Sequence, residues 1–380
     1  MTTTTTTPAT PSASPPVSDG PAPRGAQGAL RRVTHHHLFW PVVALVVMLL
    51  ACGLRSPGFL DVTIMDGHLF GQLIDIMRAS ATPLLLGIGM CLVIATGGID
   101  LSVGAVMAIS LAVSLTYIDA SGTGGTVGTA LTAVAIGLLV AAVIGAFNGF
   151  LVTVLGIQPF IATMILMVAG RGIAMLVTKG QITTTTSPPF KSIGSGFVLG
   201  IPTPVVIAAV VFALVALLVR RTALGMLVES IGINREASRL AGVRSRNITW
   251  FVYLLCGLLA GLAGIVYGAP TMAADANNIG LMKELDAIMV VVLGGTKLDG
   301  GKFSLAGVVV GALLLSTLER AVVIFHISSQ ITPLFKALVL IVVCIAASER
   351  LRSLLTSRRP RRRPTPSAGA ATTSAKGAAA

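Results

Sequence analysis

The stretch that decides the fold runs from Thr129 to Leu151 and is TALTAVAIGLLVAAVIGAFNGFL. It carries no charge and lies inside a longer uncharged run, Ala120–Gly170. A helix crosses a hydrocarbon core about 30 Å thick with about 20 apolar residues, so the longer run has room for two spans. Gly156 and Pro159 interrupt it. We therefore expect two transmembrane helices joined by a short turn there.

Similar apolar segments recur along the chain and predict an all-α fold, a polytopic bundle of transmembrane helices. Segments such as Pro41–Leu50 are apolar on every side, whereas strands of a transmembrane barrel alternate apolar and polar residues. A helix also satisfies its own backbone hydrogen bonds in lipid. We predict about ten membrane segments, near residues 38–54, 72–96, 101–118, 129–151, 159–178, 204–219, 249–268, 284–296, 304–323 and 333–348. The eighth of these, 284–296, is short and is expected to be broken or re-entrant.

Composition and charge agree with this fold class. The chain is 54% hydrophobic and 11% charged, whereas soluble domains carry about 25% charged residues. The net charge is +13, but six basic residues fall in Arg220–Arg246 and seven in Arg350–Arg363. Basic residues beside membrane spans mark the cytoplasmic side. This clustering favours cytoplasmic flanks over a nucleic-acid partner.

Three regions are predicted. Residues 1–37 form a Thr/Pro-rich cytoplasmic tail that we expect to be disordered. Residues 38–355 form the transmembrane domain, which includes a cytoplasmic loop at 220–248. Residues 356–380 form a second disordered tail, which is basic. The N-terminus lacks the charged start and apolar stretch of a cleaved signal, so we expect the first apolar segment to be a retained span.

The most polar internal segment is Arg220–Asn247. It predicts two short helices, Ala223–Ile231 and Asn234–Leu240, separated by Gly232. Asn234 is a predicted N-cap and Gly242 a predicted helix stop. Two interpretations stay open: a short amphipathic helix that fits a groove on a partner, or a structured loop without a partner.

Glycines form two patterns. Pairs spaced by four residues allow helix backbones to approach closely. A second pattern, Gly-Gly-x-x-Leu-x-x-Gly, occurs twice between predicted spans, starting with Gly97-Gly98 and again with Gly294-Gly295. The two copies are either equivalent hinge-like breaks in two related halves or a coincidence in a glycine-rich chain. The four-residue pairs are Gly145/Gly149, Gly257/Gly261, Gly264/Gly268 and Gly307/Gly311.

Three polar residues near predicted span ends are candidates for the translocation path. Asp100 directly precedes a span; it is either a helix N-cap or a path residue. Asn148 lies among small residues and offers either an interhelical hydrogen bond or a contact to a sugar hydroxyl. Gln158 precedes a proline and marks a helix boundary or kink.

No catalytic pattern is apparent in the sequence. The phosphate-binding pattern Gly-x-x-x-x-Gly-Lys-Ser/Thr does not occur, so ATP binding by that route is not expected. No metal site is predicted, because the three adjacent histidines His35–His37 cannot all face one ion on a helix.

Several of these motifs together resemble permeases of the ribose/galactose class of ATP-binding-cassette importers. The resemblance covers about residues 38–355. The finer resemblance, carried by residues 161–182 and 274–288, is to permeases of galactofuranose importers. The matching residues of the polar loop are Gly232, Asn234, Ala237, Leu240, Ala241 and Gly242. Further matches are GGIDLSVG (97–104), GAFNG (145–149), QPFIAT (158–163), ELDAI (284–288), GGT (294–296) and GGKFS (300–304).

The resemblance implies a transport subunit without enzymatic activity. In that class the polar loop docks on a separate ATPase subunit, which implies an ATPase-coupling role for the six loop residues above and for Glu229. No cofactor is expected on this chain, because the partner ATPase uses the ATP. The implied partners are that ATPase, a second permease chain (identical or different), an extracytoplasmic sugar-binding protein and membrane lipid.

The same resemblance implies a bacterial cytoplasmic (inner) membrane location. The basic residues beside the spans, together with an even number of spans, predict both termini in the cytoplasm. It implies a monosaccharide substrate such as galactofuranose, ribose or galactose. One alternative is an ion-coupled secondary sugar carrier, which should bury ionisable residues in mid-span; Asp100, Asp286 and Glu319 fall near predicted ends instead. A membrane enzyme or scaffold is a second alternative.

Overall fold

In a computed structural model, residues 38–65 and 67–347 are described. Both predicted tails lie outside these residues, so their disorder stays a prediction. The described part is mainly helical, as the apolar segments predict. Its α-helices are α1 (Phe39–Arg55), α2 (Gln72–Ala95), α3 (Val103–Ser121), α4 (Val127–Thr153), α5 (Pro159–Val177), α6 (Pro188–Ser195), α7 (Thr203–Arg221), α8 (Leu224–Ile233), α9 (Arg235–Leu240), α10 (Ser245–Gly268), α11 (Lys283–Leu293), α12 (Leu305–Ile324) and α13 (Thr332–Ala347).

The helical fold class is confirmed, and the connections also contain short strands that the sequence analysis did not predict. Each strand is two or three residues long and pairs antiparallel with one other. Pairing satisfies backbone groups that a loop would otherwise leave open. The pairs are β1 (Thr63–Met65) with β2 (His68–Phe70), β3 (Thr183–Thr184) with β6 (Ala273–Ala274), and β4 (Phe197–Val198) with β5 (Ile201–Pro202).

Each of the ten predicted segments coincides with a helix, but only seven helices are long and apolar enough to be candidate membrane spans. The other three are α1, α11 and α13, with 17, 11 and 16 residues. At 1.5 Å per residue α11 is about 16 Å long, about half of a hydrocarbon core. The count of ten membrane segments therefore stays a prediction, whereas the short eighth helix is confirmed.

The connections gather at two opposite ends of the bundle. At one end, which we call the basic end, the amide of Gly301 donates to the carbonyl oxygen of Ala95 (3.0 Å), and the α7–α10 connection lies beside them. At the opposite end, β3 pairs with β6, and the amide of Leu69 donates to the carbonyl oxygen of Gly200 (2.9 Å). The six arginines of 220–246 all fall at or near the basic end.

The core is built around α2 and α10, which are apolar and largely enclosed by other helices. In α2, 78% of the most apolar window is buried, against 17% in α7, whose sides face outward. Helices α4 and α10 pack at their glycines, since a Cβ at Gly257 would lie only 2.7 Å from Cα of Gly145. The predicted close approach of helix backbones is therefore confirmed at this crossing.

Candidate functional site

The polar loop forms a two-helix elbow, α8 and α9, at the basic end. The backbone breaks at Asn234, whose Oδ1 accepts from the amide of Ala237 (2.9 Å), so the predicted N-cap is confirmed. Gly242 follows the end of α9 with φ +84°, as expected of a helix stop. The predicted break at Gly232 is wrong, because Gly232 lies inside α8. Its backbone packing, described below, explains why a glycine stands there.

The outer surface of the elbow combines apolar and charged side chains. Ile233 and Leu240 are 70% and 77% exposed. Arg239 pairs with Glu236 (2.6 Å) and lowers the pKa of that carboxyl group. Both interpretations of the loop, with and without a partner, stay open, because single exposed apolar side chains are common on protein surfaces. Ala237, Ala241 and Gly242, three of the predicted coupling residues, are also exposed.

One side-chain hydrogen bond holds the elbow against the bundle. Nη2 of Arg235 donates to Oγ1 of Thr249 at the start of α10 (3.1 Å). Within the elbow, Ser238 is buried, and its hydroxyl donates to the carbonyl oxygen of Asn234 (2.9 Å). Glu229 is only partly exposed and lines a groove of about 620 Å³ between α8 and the α11–α12 connection, together with Lys297 and Lys302.

Backbone rather than side chains joins the elbow to the bundle at a contact that we call the glycine junction (Ala95, Gly97, Gly232, Gly300 and Gly301). A Cβ at position 232 would overlap the carbonyl oxygen of Ala95 and the amide nitrogen of Gly301. A Cβ at position 300 would lie 3.1 Å from Cα of Gly97 and 3.2 Å from the carbonyl oxygen of Gly232. The junction therefore touches α8, the end of α2 and the α11–α12 connection at once.

The two Gly-Gly patterns adopt the same local backbone. Gly97 follows α2 with φ +80°, and Gly295 follows α11 with φ +82°. In both copies, the amide of this glycine donates to the carbonyl oxygen three residues earlier. The amide of the following residue donates to the carbonyl oxygen five residues before itself. This is the helix-ending Schellman motif. The prediction aligned Gly97 with Gly294, but the structural equivalent of Gly97 is Gly295. Gly294 has a φ of −70°, which still lies in the right-handed helical region. A hinge role for Gly97, Gly98, Gly294 and Gly295 stays a prediction.

Asp100 and Asn148 belong to one buried hydrogen-bonded group. Oδ1 of Asp100 accepts from the amide (2.9 Å) and the hydroxyl (2.6 Å) of Ser102, and that hydroxyl oxygen accepts from Nδ2 of Asn148 (2.8 Å). The predicted interhelical bond of Asn148 is thus confirmed. Asp100 is not the N-cap residue, since α3 begins at Val103 and Ser102 holds that position. It nevertheless accepts a backbone N–H just before the helix.

This polar group fixes the α2–α3 connection to its neighbours. Asp100 is 1% exposed and Cys256 of α10 is a polar neighbour of its carboxylate. A Cβ on Gly98 would lie 2.5 Å from Oη of Tyr253, also on α10. Thr163 of α5 donates to the carbonyl oxygen of Ile99 (3.2 Å). The buried group positions this backbone and offers no open surface to a solute.

Gln158 lies apart from these residues. It is exposed and occupies the N-cap position of α5, with ψ 130° before Pro159 at N1. The predicted helix boundary is confirmed. A path role for Gln158 stays a prediction, and the described contacts bring it to neither Asp100 nor Asn148.

Arg171 is a site residue that the sequence analysis missed. It lies within α5, and its Nη1 donates to the carbonyl oxygens of Ala276 (3.1 Å) and Ile279 (2.6 Å). That carbonyl-bearing segment, 274–282, enters the bundle, because Gly280 packs against the backbone of Gly104 in the first turn of α3. A lone arginine in an apolar span was the available signal, since ionisable groups at membrane depth mark functional sites.

A polar pocket of about 280 Å³ lies at the opposite end of the bundle from the elbow. Asp286 of α11 pairs with Lys283 (3.0 Å) and with Lys336 of α13 (2.9 Å), which also pairs with Glu319 of α12 (2.7 Å). These pairs connect three helices, and Tyr267 of α10 closes one wall. The pocket offers donors, acceptors and an aromatic face to a ligand.

A protein family and several individual relatives match this chain. A family model described as branched-chain amino acid transport system / permease component matches residues 72–347. The chain is 47% identical over 328 residues (85% of this chain, 94% of the relative) to the galactofuranose transporter permease protein YtfT of Escherichia coli (strain K12).

Two further relatives cover a similar part of the chain. The fructose import permease protein FruF of Bifidobacterium longum (strain NCC 2705) is 40% identical over 332 residues, which is 86% of this chain and 91% of the relative. The ribose import permease protein RbsC of Escherichia coli (strain K12) is 36% identical over 313 residues, which is 81% and 93%. No solved structure matches the chain.

Proposed function

Because this chain belongs to the family of branched-chain amino acid transport system permease components, we propose that it is the membrane-spanning permease subunit of an ATP-driven sugar importer. The observation that carries the proposal is its identity of 36–47% to galactofuranose, fructose and ribose permeases over more than four fifths of the chain. Seven candidate spans fit a subunit that lines a path through the membrane.

The elbow is the proposed docking site for a separate ATPase subunit. Its exposed surface offers Ala237, Leu240 and Ala241 at the end that carries the arginines. Apolar side chains in water favour a partner that covers them. We assign the basic end to the cytoplasm, in a bacterial inner membrane, since basic residues beside spans face that side.

Coupling would run through the glycine junction. Gly232, at the end of α8, contacts backbone that leads directly into both Gly-Gly breaks. Gly232 is therefore a positioning residue, whereas the exposed residues of α9 meet the partner. A rigid contact of backbone on backbone passes on a displacement that flexible side chains would absorb. ATP binding and hydrolysis would bias the path by favouring one of its states.

The proposed substrate is a monosaccharide such as galactofuranose, fructose, ribose or galactose. Two permease chains would line one path, and an extracytoplasmic binding protein would deliver the sugar at the opposite end. The polar pocket near Asp286 and the carbonyl-bearing segment held by Arg171 lie towards that end. Both offer hydrogen-bonding groups suited to an uncharged polyhydroxylated ligand.

Reconstitution tests the proposal. The permease, its neighbouring ATPase and the binding protein are placed in liposomes, and uptake of labelled sugars is measured with and without internal ATP. We expect uptake only with all three proteins and ATP. Uptake by the permease alone, driven by an ion gradient without ATP, would instead establish a secondary carrier.

A substitution on the elbow tests the docking site. Ala237→Arg adds a large charged side chain to the exposed first turn of α9, so we expect ATPase co-purification and uptake to fall at least about ten-fold, the equivalent of about 1.4 kcal/mol of docking free energy. Gly125→Arg, in open space at the opposite end, is the matched control and should leave ATPase co-purification unchanged. Normal uptake by the Ala237→Arg variant would contradict the docking role.

A further inference from the structure

The carbonyl-bearing segment 274–282 reaches into the membrane although it is not helical. Helix α5 has 19 residues and is about 28 Å long, which is close to the thickness of a hydrocarbon core. Gly170 lies seven residues before the end of α5, about 10 Å inside. A Cβ there would lie 2.9 Å from Cβ of Ala105, and Gly280 packs against the neighbouring Gly104. The segment therefore descends about a third of the way through the core.

Part of this segment is exposed at that depth. Leu281 and Met282 are 54% and 59% exposed, and Leu285 in the first turn of α11 is 49% exposed. The amide of Met282 donates to no acceptor within the part of the chain that the structure describes. Lipid offers no partner to such a group, so non-helical backbone at membrane depth occurs only inside protein or beside a water-filled cavity. The exposed side of the segment therefore does not face hydrocarbon.

Two ionisable groups lie at the same depth. Arg171, next to Gly170, donates to carbonyl oxygens of the segment, and Glu284, two residues after the segment, is 8% exposed. A Cβ on Gly104 would meet Oε2 of Glu284, an atom that is buried without a hydrogen-bond partner among the described residues. Charged groups at membrane depth face the bundle interior or a water-filled cavity and mark solute paths. Both groups therefore favour a solute path along the segment.

The exposed side of the segment also carries two amide side chains. Nδ2 of Asn278 donates to Oδ2 of Asp275 (2.7 Å), which holds this side chain in place. The side-chain amide of Asn277 is exposed and makes no hydrogen bond with any described residue. It can donate to one hydroxyl group and accept from another. Nη1 of Arg171 donates to the carbonyl oxygen of Asn277 (3.3 Å) and so steadies the backbone that carries this amide.

We propose that the exposed side of residues 274–285 is a wall of the water-filled sugar path, where the side-chain amide of Asn277 contacts the sugar and Arg171 is a positioning residue that holds the wall in place. This assignment, which rests on the proposed function for the identity of the solute, leaves the second permease chain across the path from the wall. The path then meets the sugar with a fixed amide and with backbone groups, which suit an uncharged ligand rich in hydroxyl groups.

Thiol accessibility tests the wall. In full-length chains whose native cysteines are replaced, Met282→Cys and Val210→Cys are reconstituted separately in liposomes. Val210 is the matched control, because it is 52% exposed on outward-facing α7 and lies seven residues inside the start of that helix, again about 10 Å deep. We expect a charged methanethiosulfonate to modify Met282→Cys at least about ten-fold faster, since a thiol must meet water to form the reactive thiolate. Equal rates would overturn the wall.

The same variants separate a water-filled wall from an interface between copies. Spontaneous disulfide formation between two Met282→Cys chains would show that a second copy packs directly on the segment, and would overturn the wall. Labelling needs neither ATP nor the ATPase. A wild-type chain that fails in ATP-driven uptake would therefore contradict the proposed function alone, whereas slow labelling at position 282 beside normal uptake would contradict the wall alone.

Uptake and labelling together test the two assigned residues. Asn277→Ala should lower the maximal rate of ATP-dependent sugar uptake several-fold. Gln330→Ala, which removes an exposed amide side chain between α12 and α13, is the matched control and should not change that rate. Unchanged uptake by Asn277→Ala would overturn the sugar contact.

A charge-keeping variant tests the positioning role of Arg171. Arg171→Met removes the donors to the segment, so we expect both the uptake rate and the labelling rate at Met282→Cys to change several-fold. Arg171→Lys keeps a charged donor, although without the planar fork of arginine, and should restore part of both rates. The same labelling rate in Arg171→Met as in the parent chain would overturn the positioning role.

Discussion

At the residue scale, Asp100, Ser102 and Asn148 show how a buried polar group is kept inside an apolar bundle. Each is at most 1% exposed, and two successive hydrogen bonds join them across α3 and α4. Oδ2 of Asp100 and Oδ1 of Asn148 are buried without a hydrogen-bond partner among the described residues, so the group is only partly satisfied. Loss of a remaining partner would leave a further buried polar atom unpaired, which costs free energy. The carboxylate of Asp100 is therefore held by its hydrogen bond to the backbone amide of Ser102, just before α3.

A double-mutant cycle measures this pairing. Ser102→Ala and Asn148→Ala each remove one partner of the 2.8 Å bond, and thermal unfolding of the single and double variants is compared in detergent. We expect a coupling energy of about 0.6 kcal/mol, the average for hydrogen bonds within a membrane protein, and at most about 1.7 kcal/mol. Thr132→Ala, an exposed hydroxyl bonded within its own helix, is the control. Additive effects would show that the bond does not stabilise the fold.

At the scale of elements, α8 is held by backbone contact. Its last turn leaves no room for a side chain at Gly232, which lies against the end of α2 and the α11–α12 connection. The sequence at this position, a glycine between two short helical patterns, predicted a break. Close packing is the other common reason for a glycine, and it decides the case here.

Gly232→Ala tests the junction as a coupling element. The added methyl group overlaps backbone atoms, so α8 must shift, at a cost of about 1–3 kcal/mol. We expect ATP hydrolysis by the assembled importer to continue while sugar transported per ATP falls several-fold. Gly128→Ala, which meets open space in the first turn of α4, should change neither quantity. An unchanged ratio of transport to hydrolysis in Gly232→Ala would contradict the coupling role.

At the scale of the whole molecule, the connections separate into two groups with different chemistry. The basic end carries the elbow and both Gly-Gly breaks, and the opposite end carries the short strand pairs and the polar pocket around Asp286. Ion pairs around Asp286 and Lys336 join α11, α12 and α13. Breaking a shielded ion pair leaves its charges unpaired, so these pairs favour keeping the three helices together. In the proposed importer, the ATPase would therefore act at the basic end and the sugar would enter at the opposite end.

Cysteine labelling in intact cells tests this polarity. In a chain whose native cysteines are replaced, Ala237→Cys and Gly125→Cys place single exposed thiols at the two ends. A membrane-impermeant maleimide should label position 125 in intact cells, and position 237 only after the membrane is opened, because basic flanks stay in the cytoplasm. Labelling of position 237 from outside would invert the orientation and remove the docking proposal.

The sequence by itself determined the helical membrane fold, the short eighth helix, the elbow and its cap at Asn234. These depend on local signals: apolar length, charge beside spans, and residues that satisfy free backbone groups. Only the tertiary structure decided the packing role of Gly232 and the pairing of Asp100 with Asn148 through Ser102. It also decided the hydrogen bonds from Arg171 to the 274–282 segment. Each of these joins residues far apart in the chain, and the distances between them are set by how the helices pack.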